Sequence, residues 1–497
     1  MKYPTVQWAE ESPDRPVLLD GAEVITDAGL EERIVAAAQR LRALGVAPEA
    51  RVALWAANSA DWITIAHAVT RVGAILVPLN TRLSVLEIRE QLEYYSPQLI
   101  IADASVPLAS ADESFWRERA VRLGTPSDQT GQWWNQIQPA HATIRTEVDP
   151  EHICTIVSTS GTTGSPKGVC LSLANHLAAA EASGRNLQNR TSDRWLINLP
   201  LFHVGGLSIV YRSAASGIGM VVHRRFGVSE MIAAIANDGI THLSLVENML
   251  ARLLDEWGDR PFPGGLRGVL IGGGPVRLEL LQEARRRGLP VLPTYGLTES
   301  ASQVATLPLD ASEDCLGTSG RPLPGCEVEI RDENDAAVPV GTKGQIWIRG
   351  PMVMRGYWNP RAPEPINPYG SWCRTGDIGE MNASGYLTVH GRADDMIVSG
   401  GEKFFPAEIE ASLAKLPGVR EAAVIPVPDA TWGQVPVAFI EPLPGHHVVP
   451  TDLAGGLAGA LASYKIPAQY IALDTLPRTG SGKIDRRRLV AMLRERR

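Results

Sequence analysis

The chain has 497 residues, which is too long for one hydrophobic core, so two or more domains are expected. Charged residues make up 21% of the chain and hydrophobic residues 44%, as in an ordinary globular protein, and the formal net charge of -8 argues against a nucleic-acid-binding surface. The five cysteines are scattered and never form a C-x-x-C pair, and no apolar run approaches the roughly 18 residues of a membrane span, so the sequence predicts no zinc site, disulfide framework or transmembrane segment.

The first part of the chain alternates amphipathic helices with short apolar runs. Apolar residues recur at helical spacing from Leu30 to Leu44, and Gly45 predicts where that helix stops. Strand-like and helical stretches then follow one another at 51–56, 62–71, 74–79, 85–95 and 99–102, and again at 241–246, 249–257, 268–271, 278–287 and 290–293. This alternation predicts parallel sheets joined by crossover helices.

The sequence changes character twice towards the C-terminus. After about residue 317 it becomes strand-rich and punctuated by Gly and Pro, as at 328–330 and 345–349, which predicts a smaller β-rich subdomain. Beyond 392–395 a compact pattern predicts a helix from Pro406, strands at 422–427 and 435–440, and a helix at 452–463. We therefore expect an α/β protein with a large N-terminal domain (1–393, β-rich at about 317–393) and a small α+β C-terminal domain (394–497).

The segment from Ser158 to Gly168 carries the strongest chemical signal, because it combines three glycines, a run of hydroxyls and one lysine. Main-chain N–H groups of such a segment can wrap an anionic phosphate chain, since glycine allows close approach. Pro166 and Gly168 flank Lys167, so the spacing is not that of a Walker loop. The sequence predicts phosphate binding by Thr159, Ser160, Gly161, Thr162, Thr163, Gly164 and Lys167.

Two further segments end predicted strands at the edge where open α/β sheets bind ligands. The first is the glycine run at 272–275, for which an ordinary strand-to-helix turn is the alternative. The second ends in Thr298 and Glu299. A carboxylate at a phosphate site repels the nucleotide unless a hard cation lies between them, so Glu299 is predicted to bind Mg²⁺ beside Thr298. These segments add Gly272, Gly273, Gly274, Pro275, Tyr295 and Gly296 to the predicted nucleotide site.

Three more residues extend the predicted site. Asp377 and Arg392 bracket a short strand-like hairpin, and an aspartate can accept hydrogen bonds from both ribose hydroxyls, which is the role predicted for Asp377. Lys483 follows the glycine-rich sequence Thr479-Gly480-Ser481-Gly482 near the C-terminus. A solvent-exposed turn is the alternative for that lysine.

Taken in this order, the segments resemble the adenylate-forming superfamily of acyl-CoA synthetases, peptide-synthetase adenylation domains and luciferases, over nearly the whole chain. Ser158 departs from the pattern, since the family usually has an aromatic residue there. The resemblance implies a two-step reaction that uses ATP, Mg²⁺ and coenzyme A. A substrate carboxylate attacks the α-phosphate to give an acyl-adenylate and pyrophosphate, and the thiol of coenzyme A then displaces AMP.

The resemblance also implies residue roles. Lys483 would bridge the carboxylate and α-phosphate oxygens and screen their repulsion, and Thr298 and Glu299 are the other catalytic residues of the nucleotide site. In the family the small domain is mobile and rotates to admit coenzyme A. By motif position Asp394 matches the hinge, with a plain surface aspartate as the alternative, and Gly400 and Gly401 match the loop that lines the pantetheine channel.

The segments at 199–209, 270–275 and 294–303 resemble the subgroup that activates o-succinylbenzoate in menaquinone biosynthesis. That acid keeps a second, aromatic carboxylate, so its pocket needs a polar or cationic group at the far end. Arg212 is the candidate, with an arginine that snorkels to the surface as the alternative. Ser302 and Gln303 are further substrate candidates, although either could cap a helix. His203 is predicted to lie near the reacting carboxylate, by analogy.

Other functions stay open at this stage. The chain could ligate coenzyme A to another aryl or medium-chain acid, or it could be a degenerate member that only binds an acyl-adenylate. Retention of the nucleotide residues and Lys483 argues against the degenerate protein. The polar N-terminus lacks a signal-peptide core, so a cytoplasmic location is expected. A homo-oligomer is left open.

Overall fold

The computed structural model describes residues 1–103, 120–124, 132–159, 167–360, 371–399, 402–458, 460–479 and 482–496. Their architecture confirms the predicted α/β class. None of the helices in these ranges has the length and apolar character needed to cross a bilayer.

Two large mixed sheets carry most of the chain. The first has nine described strands in the order Arg321–Pro322, Ser302–Thr306, Val291–Leu297, Gly268–Ile271, His242–Leu245, Arg194–Ile197, Gly219–Val222, Pro16–Asp20 and Glu23–Thr26. The second has eight, in the order Gly356–Tyr357, Lys167–Ser172, Ile153–Thr159, Ile75–Pro78, Arg51–Trp55, Leu99–Asp103, Ala120–Leu123 and Gln132–Trp133. The central strands pair in parallel, as the alternation predicts, and antiparallel strands lie towards the edges.

Helices cover these sheets and pack between them. They span Pro4–Glu11, Asp27–Ala43, Ala60–Arg71, Val85–Tyr95, Leu173–Leu187, Val204–Ser216, Val228–Asn237, Glu247–Trp257 and Leu278–Arg286. The helix Ala60–Arg71 shows how sequence fixes one of them. Ser59 caps its start by accepting from the Trp62 amide at 3.1 Å, and only Asp61 along its length is exposed. A helix apolar on nearly every side is stable only inside a core.

A smaller sheet follows, as predicted for the β-rich subdomain. Its four strands, Glu327–Arg331, Gly344–Arg349, Cys373–Met381 and Leu387–Arg392, are antiparallel throughout. The last pairing places Asp377 opposite Arg392. This register brings two residues that are distant in sequence to one edge of the sheet.

The C-terminal part forms a five-stranded sheet of Glu402–Phe404, Ile397–Ser399, Gly433–Pro442, Val419–Asp429 and Gln469–Ala472, with helices Pro406–Leu413, Pro450–Leu457 and Arg486–Glu495. The helix predicted at 452–463 was placed too far along the chain. It begins at Pro450 and ends at Leu457, because Gly455 and Gly456 weaken its last turn and Ala458 is extended. A separate 3₁₀ turn covers Ser463–Lys465. The domain boundary near residue 393 stays a prediction.

All five cysteines are free thiols. Four of them, Cys154, Cys170, Cys326 and Cys373, are buried. Burial raises the thiol pKa of each to about 12, above the ordinary value of 9.0. These thiols are therefore protonated at neutral pH.

Candidate active site

A β-hairpin holds several of the predicted site residues. Strand Val291–Leu297 pairs antiparallel with Ser302–Thr306, and the 3₁₀ turn Thr298–Ser300 lies between them. The strands meet very closely at Gly296, where a Cβ would lie 1.7 Å from the Ser302 carbonyl oxygen. Ala301 and Ser302 have φ of 53° and 141°, values that L-residues rarely adopt. The hairpin therefore presents Thr298 and Glu299 on a tightly constrained turn.

Asp377 lies in a pocket formed with Tyr295 and Arg392. The Tyr295 hydroxyl donates to Asp377 Oδ2 at 2.6 Å, and Arg392 Nη1 lies 3.4 Å from Oδ1. Burial raises the pKa of Asp377, and the Tyr295 hydrogen bond and Arg392 oppose that shift. Because Tyr295 occupies Oδ2, only Oδ1 is free of a tyrosine donor. The role of Asp377 as acceptor from both ribose hydroxyls stays a prediction.

Lys483 reaches the same cleft from the C-terminal part of the chain. Its Cε lies 3.5 Å from the position a Cβ on Gly273 would take, and Gly482 beside it approaches Val246. The side chain is open to solvent yet surrounded by protein on most sides of the cleft. This desolvation lowers the pKa of Lys483, while the carboxylates of Asp377 and Glu299 oppose the shift. The lysine therefore lies beside the predicted nucleotide residues, although its surface is exposed, and its catalytic role stays a prediction.

His203 stands at the entry of the helix Val204–Ser216, with extended backbone and no capping bond from its side chain. Its Nε2 is buried and has no hydrogen-bond partner. Burial, together with the charges of Lys483 and Arg82, lowers the pKa of His203 to about 4. The imidazole is thus neutral at pH 7, with an unpaired ring nitrogen, as a group that contacts a bound ligand would be.

Glu299 fits a shared metal site better than a closed protein cage. In the described part of the chain, no group of three or more His, Cys, Asp or Glu side chains is arranged to hold an ion. Mg²⁺ commonly binds through one or two carboxylates together with substrate phosphates, which is what a lone Glu299 in this cleft could offer. The Tyr357 hydroxyl donates to Glu299 Oε1 at 2.7 Å.

Arg212 is buried on the helix Val204–Ser216, with 2% of its surface exposed, so the snorkelling alternative is wrong. Its Nη2 donates to Gln303 Oε1 at 2.7 Å and to Ser302 Oγ at 3.3 Å. The guanidinium also lies over the Trp195 ring, 4.7 Å from its centroid. Burial lowers the pKa of Arg212 to about 9. The structure thus brings together the three residues predicted to bind the acid.

Most of the other predicted residues either lie at the ends of short elements or fall outside the described residues. Thr159 and Lys167 lie at the paired ends of strands Ile153–Thr159 and Lys167–Ser172, and Asp394 lies in the exposed 3₁₀ turn Ala393–Asp395. Ser158, the departure from the family pattern, hydrogen-bonds the Tyr95 hydroxyl at 2.8 Å. Outside the described residues lie Ser160, Gly161, Thr162, Thr163, Gly164, Gly400 and Gly401.

Two residues of the site were missed from sequence. Trp195 supports Arg212, and Tyr357 contacts Glu299. Trp195 occupies a short buried strand, and in such a strand an aromatic residue predicts core packing and not a binding site. Tyr357 belongs to a two-residue strand, too short for any periodicity. Its aromatic side chain next to Gly356 gave no more than a weak signal.

Comparisons with known proteins agree with this geometry. The model of the AMP-binding enzyme family matches residues 6–358, and that of the AMP-binding enzyme C-terminal domain matches 408–483. A 2-succinylbenzoate–CoA ligase of Bacillus licheniformis is 37% identical over 97% of this chain and 98% of its own. The o-succinylbenzoate CoA synthetase of Bacillus subtilis, solved with the acyl-adenylate intermediate OSB-AMP, has a TM-score of 0.89, 34% identity and 98% coverage of both chains. Its complex with ATP and magnesium has a TM-score of 0.88, 35% identity and 99% coverage of both.

Proposed function

The chain belongs to the AMP-binding enzyme family, and we propose from that premise that it activates o-succinylbenzoate for menaquinone biosynthesis. It is an AMP-forming acid–thiol ligase. O-succinylbenzoate and ATP give an acyl-adenylate and pyrophosphate, and coenzyme A then displaces AMP to form o-succinylbenzoyl-CoA. The relatives named above carry this substrate in their names, and their similarity to this chain covers nearly their whole length.

The buried guanidinium of Arg212 is the observation that best supports this acid. Among the described residues no carboxylate lies within ion-pair distance of it, and its partners Gln303 and Ser302 are neutral. A buried charge without a counter-ion is costly, so the site favours an anionic ligand. The aromatic carboxylate of o-succinylbenzoate would supply that anion. A benzoate or medium-chain fatty acid has only the carboxylate that reacts.

The residues of the cleft divide the adenylation step among them. Lys483 would contact the attacking carboxylate and the α-phosphate together, because its ammonium can screen two anions at once. His203, neutral and with Nε2 unpaired, would donate or accept one hydrogen bond to the acid without adding charge. Asp377 would hold the ribose through Oδ1, with Tyr295 fixing the carboxylate.

The remaining nucleotide contacts come from the phosphate segment and the acidic turn. Lys167, with the segment that precedes it, would bind the β- and γ-phosphates that leave as pyrophosphate. Glu299 would hold Mg²⁺, which neutralises phosphate charge when bound with ATP. Thr298 lies next to Glu299 on the same 3₁₀ turn and would complete this contact.

A panel of acids followed by pyrophosphate release tests the assignment. The sharpest comparison is with 4-oxo-4-phenylbutanoate, which keeps the reacting chain and lacks the aromatic carboxylate. We expect kcat/KM to favour o-succinylbenzoate by about a hundredfold or more, because a buried polar group left unpaired rejects the analogue. No turnover of o-succinylbenzoate, with turnover of another acid, would contradict the proposed function.

Arg212→Met tests the residue separately, since methionine keeps bulk against Trp195. We expect kcat/KM for o-succinylbenzoate to fall about thirtyfold or more, because removing one partner of a buried charge pair typically costs roughly 2–5 kcal/mol. The analogue should be used as well as before, and Arg185→Met, an exposed arginine, is the matched control. An unchanged preference between the two acids would remove Arg212 from the acid site while leaving the ligase activity standing.

We also propose that the protein works in the cytoplasm, since five free cysteines suit a reducing compartment. A homo-oligomer stays a prediction, which the mass measured by light scattering would decide.

A further inference from the structure

Tyr357 lies between two predicted ligands of MgATP that are far apart in sequence. Its hydroxyl donates to Glu299 Oε1 at 2.7 Å. Its ring lies beneath Lys167, whose Nζ is 5.3 Å from the ring centroid. One side chain thus contacts both the acidic residue and the cationic residue of the phosphate site.

The backbone around Tyr357 is fixed on both sides. Strand Gly356–Tyr357 pairs antiparallel with the strand that begins at Lys167, and the Trp358 amide donates to the Gly168 carbonyl at 2.6 Å. Three residues before Tyr357, the Met354 amide donates to the Glu299 carbonyl at 2.8 Å. The position of Tyr357 relative to Lys167 and Glu299 is therefore set by main-chain bonds, and its side chain is not a loose surface group.

The hydrogen bond determines which carboxylate oxygen remains available. Because the hydroxyl occupies Oε1 of Glu299, the second oxygen stays open for a cation. With 38% of its surface exposed, the tyrosine also borders the open cleft.

We propose that Tyr357 is a positioning residue for MgATP, which orients the Glu299 carboxylate towards the metal through its hydroxyl and holds Lys167 towards the phosphates through its ring. This inference rests on the proposed function, because it needs Glu299 and Lys167 to bind MgATP. It assigns two separable tasks to one side chain. The hydroxyl serves the metal, and the ring serves the phosphate lysine.

Two variants separate these tasks. Tyr357→Phe removes the hydroxyl and keeps the ring, whereas Tyr357→Leu removes both. Tyr94→Phe is the matched control, since the Tyr94 hydroxyl donates to the Trp358 carbonyl at 2.8 Å, next to the same strand but outside the nucleotide residues. For each protein, calorimetry without acid gives the affinity for ATP at several Mg²⁺ concentrations, and pyrophosphate release gives the Mg²⁺ requirement and the KM for ATP.

We expect Tyr357→Phe to raise the Mg²⁺ concentration for half-maximal ATP binding about three- to tenfold, with little change once Mg²⁺ is saturating. Tyr357→Leu should also weaken ATP binding at saturating Mg²⁺, by about threefold or more. Tyr94→Phe should match the unmodified protein in both. A thermal unfolding temperature within a few degrees of the unmodified protein shows that each variant is folded.

Two results would overturn the inference. If Tyr357→Phe binds ATP with an unchanged or lower Mg²⁺ requirement, the hydroxyl does not prepare Glu299 for the ion. If Tyr94→Phe shows the same shift, the effect comes from the strand and not from the hydroxyl. Failure of the unmodified protein to bind MgATP at all is a different outcome, which would contradict the proposed function itself.

Discussion

Lys483 is contributed by the C-terminal part of the chain to a cleft whose other residues lie before residue 393. Desolvation lowers the pKa of Lys483, and the charge of Arg392 also lowers it. The nearby carboxylates of Asp377 and Glu299 oppose this shift. A lysine with a lowered pKa loses its charge at a lower pH than a free lysine would. Since the ammonium is the form that screens two anions, adenylation should decline in alkaline solution before an ordinary lysine titrates.

We expect Lys483→Ala to reduce adenylation roughly ten- to a hundredfold or more, since one charge-assisted hydrogen bond contributes on the order of 1.5–3 kcal/mol and more in a closed site. Thioester formation from preformed acyl-adenylate should stay within a few-fold of the unmodified enzyme. The two half-reactions are measured by ATP–pyrophosphate exchange and by product formation from synthetic adenylate. Equal loss in both would show that Lys483 does not act specifically in the first step.

At this scale the sequence predicted which residues would form the candidate site, but it could not predict their contacts. Glycine-rich spacing and hydroxyls pointed to the phosphate segment, and the resemblance pointed to Lys483. Nothing in the sequence could show that Tyr295 occupies one oxygen of Asp377, because that contact joins positions 82 residues apart. The cation–π contact between Arg212 and Trp195 was hidden for the same reason.

The hairpin that carries Glu299 depends on the absence of a side chain at Gly296. There is no room there for a methyl group, because the Ser302 carbonyl occupies the space. Gly274 offers a contrast, since it lies in the exposed turn after strand Gly268–Ile271, and a Cβ added there would meet nothing within 4 Å. The two glycines therefore differ in role, since Gly296 allows the strands to pair and Gly274 lies in an open turn.

We expect Gly296→Ala to lower the free energy of unfolding by about 3 kcal/mol or to prevent folding, because the clash with the Ser302 carbonyl must separate the two strands. The free energy of unfolding of Gly274→Ala should lie within about 0.5 kcal/mol of that of the unmodified protein. If the Gly274 backbone approaches the nucleotide, this variant should bind ATP more weakly. Urea unfolding and calorimetry measure the two effects. A stable, fully active Gly296→Ala protein would show that the hairpin can open without cost.

Elements were predictable where periodicity was strong. The helices at 62–71 and 85–95 and the strands at 268–271 and 345–349 are confirmed. The prediction of a helix at 452–463 was wrong at its C-terminal end. The apolar spacing suggested a helix throughout, but two glycines end it at Leu457. Short antiparallel pairings such as Gly356–Tyr357 with Lys167–Ser172 depend on tertiary contacts, and sequence patterns of two residues carry no period.

At the scale of the whole molecule, an ion pair joins the two parts that meet at the cleft. Lys415 Nζ, next to helix Pro406–Leu413, lies 3.0 Å from Glu279 Oε1 at the start of helix Leu278–Arg286. The backbone amide of Glu279 and then Lys415 lower the pKa of this carboxyl. Both side chains are exposed, so the pair contributes about 0–1 kcal/mol. It favours the arrangement in which Lys483 faces the nucleotide residues.

Charge reversal tests this contact. We expect Lys415→Glu and Glu279→Lys each to slow adenylation two- to fivefold at low ionic strength, and the double variant to recover most of the loss. The effect should fade in high salt, since exposed charges are screened. Thioester formation from preformed adenylate should not slow. If the double variant is as slow as the product of the two single effects, the residues do not interact across the cleft.

The buried cysteines bear on how the acyl group is delivered. An acyl-adenylate is a strong electrophile, and a thiolate anywhere near it would be acylated in place of coenzyme A. A thiol with a pKa of about 12 is ionised to about one part in 100,000 at pH 7. The charge of nearby Glu299 also raises the pKa of Cys373, so this thiol is a poor nucleophile at neutral pH. By keeping these four buried thiols protonated, the fold leaves the carrier thiol as the better nucleophile and limits self-acylation at those positions.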